Sequence, residues 1–378
     1  MKYCVSILLA LSCFSVIAQY PCGTRITQAQ LEQLQPFNEW SLSQRTIQNP
    51  DTHYIPLKFH VIRYSDGTGG MDTAILPTLL DTLNYYYINA RIQFQQCGEV
   101  NYINDDRFVS FEGTTEENAL TTNDVPRVIN IYFADTVTLN DNQVCGYAYL
   151  PNGPLEIFIN DACTLNGNTI VHEIGHVFSL IHTHGPTDSE LTDELVNGSN
   201  CDVAGDFICD TPADPNLFGK ISPVCNYSGT VLDGNGVAFT PMLDNIMSYA
   251  DDDCNLDSLT PQQYKRVYNS LFFHDRIDLI CPDKSITVNE SGFISAYPNP
   301  FNEQITVYYK IQSDALVSLV MYDMLGQLMD EIYFENEEKG QLKRYIPFGD
   351  TYLRQGIYFI TLAVDGETVD AIKIIRYN

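Results

Sequence analysis

The sequence predicts an α+β domain, a mixed sheet with a site-bearing helix, followed by a small all-β sandwich. Three observations predict this. Between residues 55 and 160, short β-patterned runs alternate with a helical one. NTIVHEIGHVFSL, from about Asn168, is a second helical run and carries two imidazoles. From about Ile294 the alphabet shifts to strand residues punctuated by turn signals, after a polar linker at 284–293.

At 378 residues, 44% of them hydrophobic, the chain is long enough for two or three domains with a sizeable core. Residues 1–18 place a Lys before the apolar run VSILLALSCFSVIA, with Val16 and Ala18 before a cut. This is the pattern of a secretory signal, and it is too short for a membrane span. A buried N-terminal helix competes with it. So does a lipoprotein signal at Cys13, which has Ala10 where such signals usually carry Leu. No other stretch reads as transmembrane. The net charge of −28 argues against nucleic acid and anionic membrane surfaces as partners, because both would be repelled. It suits an extracellular protein that binds calcium, although a solvated acidic surface accounts for it equally.

Cleavage after Ala18 removes Cys4 and Cys13, so eleven cysteines become nine. An exported chain with this count is expected to form disulfides. Eight run from Cys97 to Cys281 and can pair fully, which makes Cys22 the odd thiol. The alternative is that Cys22 pairs with one of the eight and leaves another free.

Residues 19–50 are Gln-rich, with an amphipathic pattern at Leu31, Leu34 and Phe37, and read as a pro-segment or N-terminal arm. A domain over 51–283 follows. In IPLKFHVIR, Ile55, Leu57, Phe59 and Val61 share one face of a strand, and His60 within it reads as structural. Ile75, Leu79, Leu83 and Tyr86 or Tyr87 predict a helix over 73–90, capped by Asp72. Apolar runs at 92–94, 128–133, 146–151 and 155–160 supply further strands. TPQQYKRVYNSLFF, residues 260–273, predicts a closing helix. In the last domain, 294–378, ITVYYKI, VSLVMYD, RYIPF, IYFITLAV and AIKIIRY read as strands, with Asp365-Gly366 as a hairpin turn. That region holds no cluster of His, Cys or paired acids.

The chemistry gathers in VHEIGHVFSLIHTHG, residues 171–185. On a helix, His172 and His176 lie one turn apart on one face and can reach a single zinc ion. Glu173 then lies beside the metal as a candidate general base toward an activated water. A third ligand at His182 requires the helix to end soon after His176 and the chain to turn. Three protein ligands with an open position make a catalytic rather than a structural zinc site. His184 reads as a support for these ligands or as a surface residue. Further on, Asp188, Asp193, Asp202, Asp206, Asp210 and Asp214 crowd one loop; the first five are candidate calcium ligands, with an ordinary acidic loop as the competing reading.

With NIMSY, where Tyr249 follows Met247 by two residues, the chain resembles the metzincins. Within them it is similar to the pappalysin and cytophagalysin group through HEIGHVFSLIHTHG, CDVAGDFICDTPADPN and DNIMSYADDDCNLDSLTPQQ. These segments lie across most of residues 50–282. One position departs from the pattern: Ser179 stands where metzincins have the Gly at which the chain leaves the helix. The resemblance implies a metzincin-like fold and calcium in the acidic loop. It also implies an edge strand in GYAYLPNGPLEIFIN that pairs with extended substrate. Met247 would be a packing floor beneath the zinc, Tyr249 would steady the oxyanion, and Cys22 would be a latency ligand of the zinc, cut away on activation. AYPNPFNEQITVYY, with MYDMLGQ and GIYFITL, resembles the C-terminal sorting domain of the type IX secretion system of Bacteroidetes; an adhesive accessory sandwich is the alternative.

The expectation is therefore a secreted zinc endopeptidase that acts on protein or peptide substrates and engages the type IX machinery. A surface-displayed zinc-containing binding module with lost turnover competes with it, supported by Ser179 and opposed by Glu173. A non-peptidase zinc hydrolase is a third reading.

Overall fold

The structure, a computed structural model, describes residues 22–43, then 52–281 without 166, 251–253, 275, 277 and 278, then 291–376 without 298, 300, 302, 303 and 348–352. The expected signal at 1–18 and most of the expected linker lie outside the described residues. The first elements are α1 (Gln28–Ser43), β1 (His53–Arg63), α2 (Leu76–Tyr87), β2 (Ile92–Gln96), β3 (Asn101–Asn104), β4 (Ser110–Glu112) and α3 (Gly113–Leu120). They are followed by β5 (Ile129–Ala134), β6 (Thr136–Leu139), β7 (Asn142–Gln143), β8 (Gly146–Ala148), β9 (Glu156–Asn160), α4 (Asn168–Val177) and α5 (Pro261–Phe273). None of the described helices is long and apolar enough to cross a membrane.

The main sheet has the order β2-β1-β5-β9-β8. Its first half pairs β1 with β2, and β3 continues alongside the second half of β1. All these pairings are parallel except the last, where β8 runs antiparallel to β9 and forms an edge. Strands β5 and β9 are buried along their whole length, which explains why INIYFA and EIFIN are apolar runs with little alternation. On one face, Leu79, Leu83 and Tyr87 of α2 and Ile170, Val171, Ile174 and Val177 of α4 pack against Ile55, Phe59, Ile131 and Ile157. On the other, Phe111, Val137, Tyr132 and Phe158 form a second core under a small β4-β6-β7 sheet.

His60 belongs to that second face. Its ring stacks on Tyr132 at 4.2 Å between centroids, with Asn130 Oδ1 3.0 Å from Nε2 and the Asn101 side-chain amide 3.0 Å from Nδ1. Burial pushes its pKa down to about 4, so it is a satisfied neutral core histidine.

The helix expected over 73–90 is narrower than its pattern. Residues Thr73–Ile75 and Ile88–Ala90 are 3₁₀ turns at either end, and Asp72 caps the first of them through the Ala74 N–H at 3.0 Å. Likewise the run 146–151 is a strand only over β8, because Tyr149 and the following prolines leave the sheet. Helix α5 starts with a capping box between Thr260 and Gln263 and carries Pro at its first position. The arm is more structured than its composition suggested. Leu34 and Phe37 of α1 are fully buried against Leu150, Ile181 and Phe273. Among the described residues, four disulfides, Cys97–Cys281, Cys145–Cys163, Cys201–Cys209 and Cys225–Cys254, leave Cys22 as a free thiol.

Among the described residues from 291 onward, the named elements are all strands: β10 (Gly292–Tyr297), β11 (Gln304–Ile311), β12 (Ala315–Asp323), β13 (Leu328–Glu337), β14 (Gly340–Pro347), β15 (Gly356–Val364) and β16 (Glu367–Arg376). They form sheets of order β10-β11-β14 and β13-β12-β15-β16. Ile305, Val307 and Tyr309 of the first share a core with Leu319, Ile360 and Leu362 of the second. Asp365 and Gly366 take φ of 51° and 85°, the conformation a two-residue hairpin turn demands. Strand β13 escaped the sequence reading because LMDEIYFENE is acidic and mostly exposed.

Candidate metal centre

Helix α4 turns its apolar side to the sheet and brings its two imidazoles together at the other. His172 Nε2 and His176 Nε2 are 3.1 Å apart. Both Nδ1 atoms face backbone carbonyls: His172 Nδ1 lies 2.7 Å from the oxygen of Ile246, and His176 Nδ1 lies 2.9 Å from that of Leu180. Carbonyls only accept, so both protons sit on Nδ1 and both Nε2 lone pairs point at one another.

The helix ends at Val177, and Ser179 takes a left-handed φ of 71°. A non-Gly residue there costs about 1–2 kcal/mol, and three tethers offset it. The Ser179 N–H donates to the His176 carbonyl at 3.0 Å, its hydroxyl meets that of Ser270 at 2.8 Å, and its carbonyl accepts from Arg266 Nε at 2.7 Å. The chain then carries His182 back, with ring centroids 5.2 Å from His172 and 4.8 Å from His176. His182 Nε2 is buried without a hydrogen-bond partner.

Cys22 completes the group, its Sγ 3.6 Å from His176 Nε2. The ligand atoms of Cys22, His172, His176 and His182 lie within 4.8 Å of one another. Burial and mutual repulsion push His176 and His182 well below the usual imidazole range, and burial brings His172 down to about 4. Converging unprotonated nitrogens beside a buried sulfur repel each other unless a cation sits among them. This donor set fits zinc in both number and type.

Glu173 is buried beside this group. Burial lifts its carboxyl to about 8, partly offset by hydrogen bonds from Cys22 and Thr24. The Thr24 hydroxyl accepts from the Ala148 N–H at 2.9 Å and lies 3.2 Å from Glu173 Oε2. With the Gly23 N–H donating to the Gly146 carbonyl at 2.8 Å, residues 22–24 lie along the edge of β8 that no other named strand pairs with. Met247 is fully buried under α4. A Cβ on Gly175 would approach its sulfur to 2.6 Å, which explains the Gly inside HEIGH. The Tyr249 ring packs against His182 and His184 at 4.5 and 4.7 Å, and its hydroxyl donates to the Cys22 carbonyl at 3.2 Å.

The five expected calcium ligands do not form one site. Asp188 accepts from His184 Nε2 at 3.0 Å, and Asp210 caps α5 through the Thr260 hydroxyl and the Gln262 N–H. Asp193 and Asp202 are exposed. Asp206 is instead coupled to Glu194, and Glu194 to Asp214; each of the three holds a buried carboxylate oxygen without a partner. Burial and the neighbouring acid raise Glu194 to about 8 and Asp206 well above its ordinary range. The acidic crowding of the loop had marked Asp206 and Asp214, but the sequence carried no signal for Glu194, nor for the Ile246 and Leu180 carbonyls or Thr24. His184, left between two readings, is buried.

Comparison with known proteins gives two separate matches. Residues 295–376 match the family described as the secretion system C-terminal sorting domain, which points to type IX secretion and an extracellular location. An extracellular metalloprotease of Pyricularia oryzae is 26% identical over 233 residues, covering 56% of this chain and 72% of its own length. One from Aspergillus oryzae is 25% identical over 260 residues, covering 57% and 74%. Mouse pappalysin-1 is 29% identical over 156 residues, covering 37% of this chain and 9% of its own. The chain thus joins a region related to the extracellular metalloproteases and pappalysin-1 to a secretion system C-terminal sorting domain at residues 295–376.

Proposed function

We propose that the protein is a secreted zinc metalloendopeptidase of metzincin type, kept latent by its N-terminal arm. The observation that carries this reading is the convergence of His172, His176 and His182 on one point, with the Glu173 carboxylate beside it. A zinc ion held by the three imidazoles would supply a water with its pKa lowered to roughly 7 and polarise the scissile carbonyl. Glu173 is placed to take that water's proton and return it to the leaving amine. Tyr249, fixed by packing on His182 and His184, brings a phenol O–H to the same side, where it can donate to the developing oxyanion. The open edge of β8 offers N–H and C=O groups to an extended peptide and reads little of its sequence. Substrates are therefore protein or peptide segments in extended form.

Ser179 adopts the turn a glycine would, so it no longer supports the binding-module alternative. A gelatin zymogram of the processed protein separates the two readings. Clearing abolished by a chelator is expected; metal-loaded but inert protein would favour the binding module.

Latency follows from what residues 22–24 occupy. Cys22 holds the fourth ligand position, its carbonyl engages Tyr249, Thr24 contacts Glu173, and Gly23 pairs with the substrate edge. Every group assigned a catalytic task is thereby engaged by the arm.

Glu194, which feels the charge of Asp206 on one side and Asp214 on the other, is where calcium would relieve buried carboxylate oxygens that have no partners; the three acids do not close into a single tight ligand set without it. Thr183, next to His182, donates to Asp214 at 2.5 Å, so a cation there would also brace the turn that carries the third imidazole. Calcium at a hundredfold excess over Kd should add about 2.7 kcal/mol and raise Tm by roughly 5–10 °C, and Asp206→Asn should lose that rise. Identical melting in calcium and in EGTA, with zinc present, would contradict the site.

The sheets from β10 onward close their own core and carry none of the catalytic groups. A chain ending near residue 285 should therefore keep full peptidase activity when made in a foreign host, yet fail to leave its native host. Export of the shortened chain from that host would count against the sorting role.

A further inference from the structure

The three imidazoles differ in what stands behind them. His172 and His176 direct Nδ1 at main-chain carbonyls supplied by the Met247 turn and by the helix end. His182 lies in an irregular turn, and the group facing its Nδ1 is the Asp188 carboxylate, with Oδ1 4.0 Å away. Asp188 is itself fixed: the same oxygen lies 3.0 Å from His184 Nε2, one helical-turn spacing earlier in sequence. The His184 ring stacks on His182 at 5.0 Å with an interplanar angle of 13°, and Tyr249 walls both rings. Its position is therefore tied to that of the ligand it flanks.

We propose that Asp188, steered by His184, is the positioning residue of the third metal ligand. It forms a carboxylate–histidine–metal relay where the other two ligands use carbonyls. The inference rests on the reading of His182 as a ligand and takes Asp188 out of the calcium set. The physical reason is specific to the turn. Without helical geometry to fix its ring, His182 needs an acceptor at Nδ1 to hold one tautomer and aim Nε2, and a carboxylate also makes that nitrogen more basic than a carbonyl does. At 4.0 Å the two atoms are neighbours across more than a direct hydrogen bond, a gap that one water can bridge.

The test is zinc affinity, measured on the full chain by competition with a chromogenic chelator. Asp188→Asn keeps size and polarity and should weaken zinc binding about 10–100-fold. His184→Phe keeps the ring stack but loses the donor, and should weaken it by a smaller factor in the same direction. In a His182→Ala background, Asp188→Asn should change affinity less than about threefold, because the ligand it positions is gone; a merely structural residue would cost the same in both backgrounds. Unchanged affinity in Asp188→Asn, or equal losses in both backgrounds, overturns the inference alone. Unchanged affinity in His182→Ala removes the ligand assignment and the inference with it.

Discussion

Glu173→Ala should bind one zinc per chain as the wild type does and lose hydrolysis by about 10²–10⁴-fold. The carboxylate points at the metal site but is not among the donors, so its removal leaves the three imidazoles and their carbonyl supports in place. Its burial also makes it hard to replace by solvent: the residue is 1% exposed. Steady-state cleavage of a fluorogenic peptide, with metal content measured on the same sample, checks both halves. More than a few per cent residual activity would show that another group moves the proton.

Cys22→Ala should raise the activity of the uncut precursor at least about tenfold, the equivalent of about 1.4 kcal/mol, with zinc content unchanged. A thiolate is a strong zinc ligand, and removing it frees the fourth position for water. Activity should stay below that of the processed protein, because Gly23 and Thr24 still lie on β8 and α1 still buries Leu34 and Phe37. Equal activity of mutant and wild-type precursors, both intact by mass, would sink the latch.

The site was legible where its chemistry travels in side-chain spacing. His172 and His176 four apart, Glu173 between them and a turn before His182 are properties of one short stretch. Cysteine parity likewise pointed to Cys22 as the free thiol, as the four disulfides leave it. The supporting groups were not legible, because a carbonyl such as that of Ile246 or Leu180 has no residue signature. The acids misled for a related reason. Composition marked the loop as oxygen-rich, yet which oxygens meet depends on how the loop closes: Asp210 went to the cap of α5 and Asp188 to His184, while Glu194 joined Asp206 from outside the expected set. Strands β5 and β9 were readable as apolar runs, whereas β13, acidic and exposed, carried no pattern a sheet requires.

The most direct test of the account is zinc titration of the metal-free, processed protein, with peptide cleavage followed at each addition. Activity should be absent at the start, rise in proportion to added zinc, and level off at one equivalent. Cleavage that persists in the metal-free protein, or one bound zinc with no cleavage of any peptide in a diverse library, would contradict it.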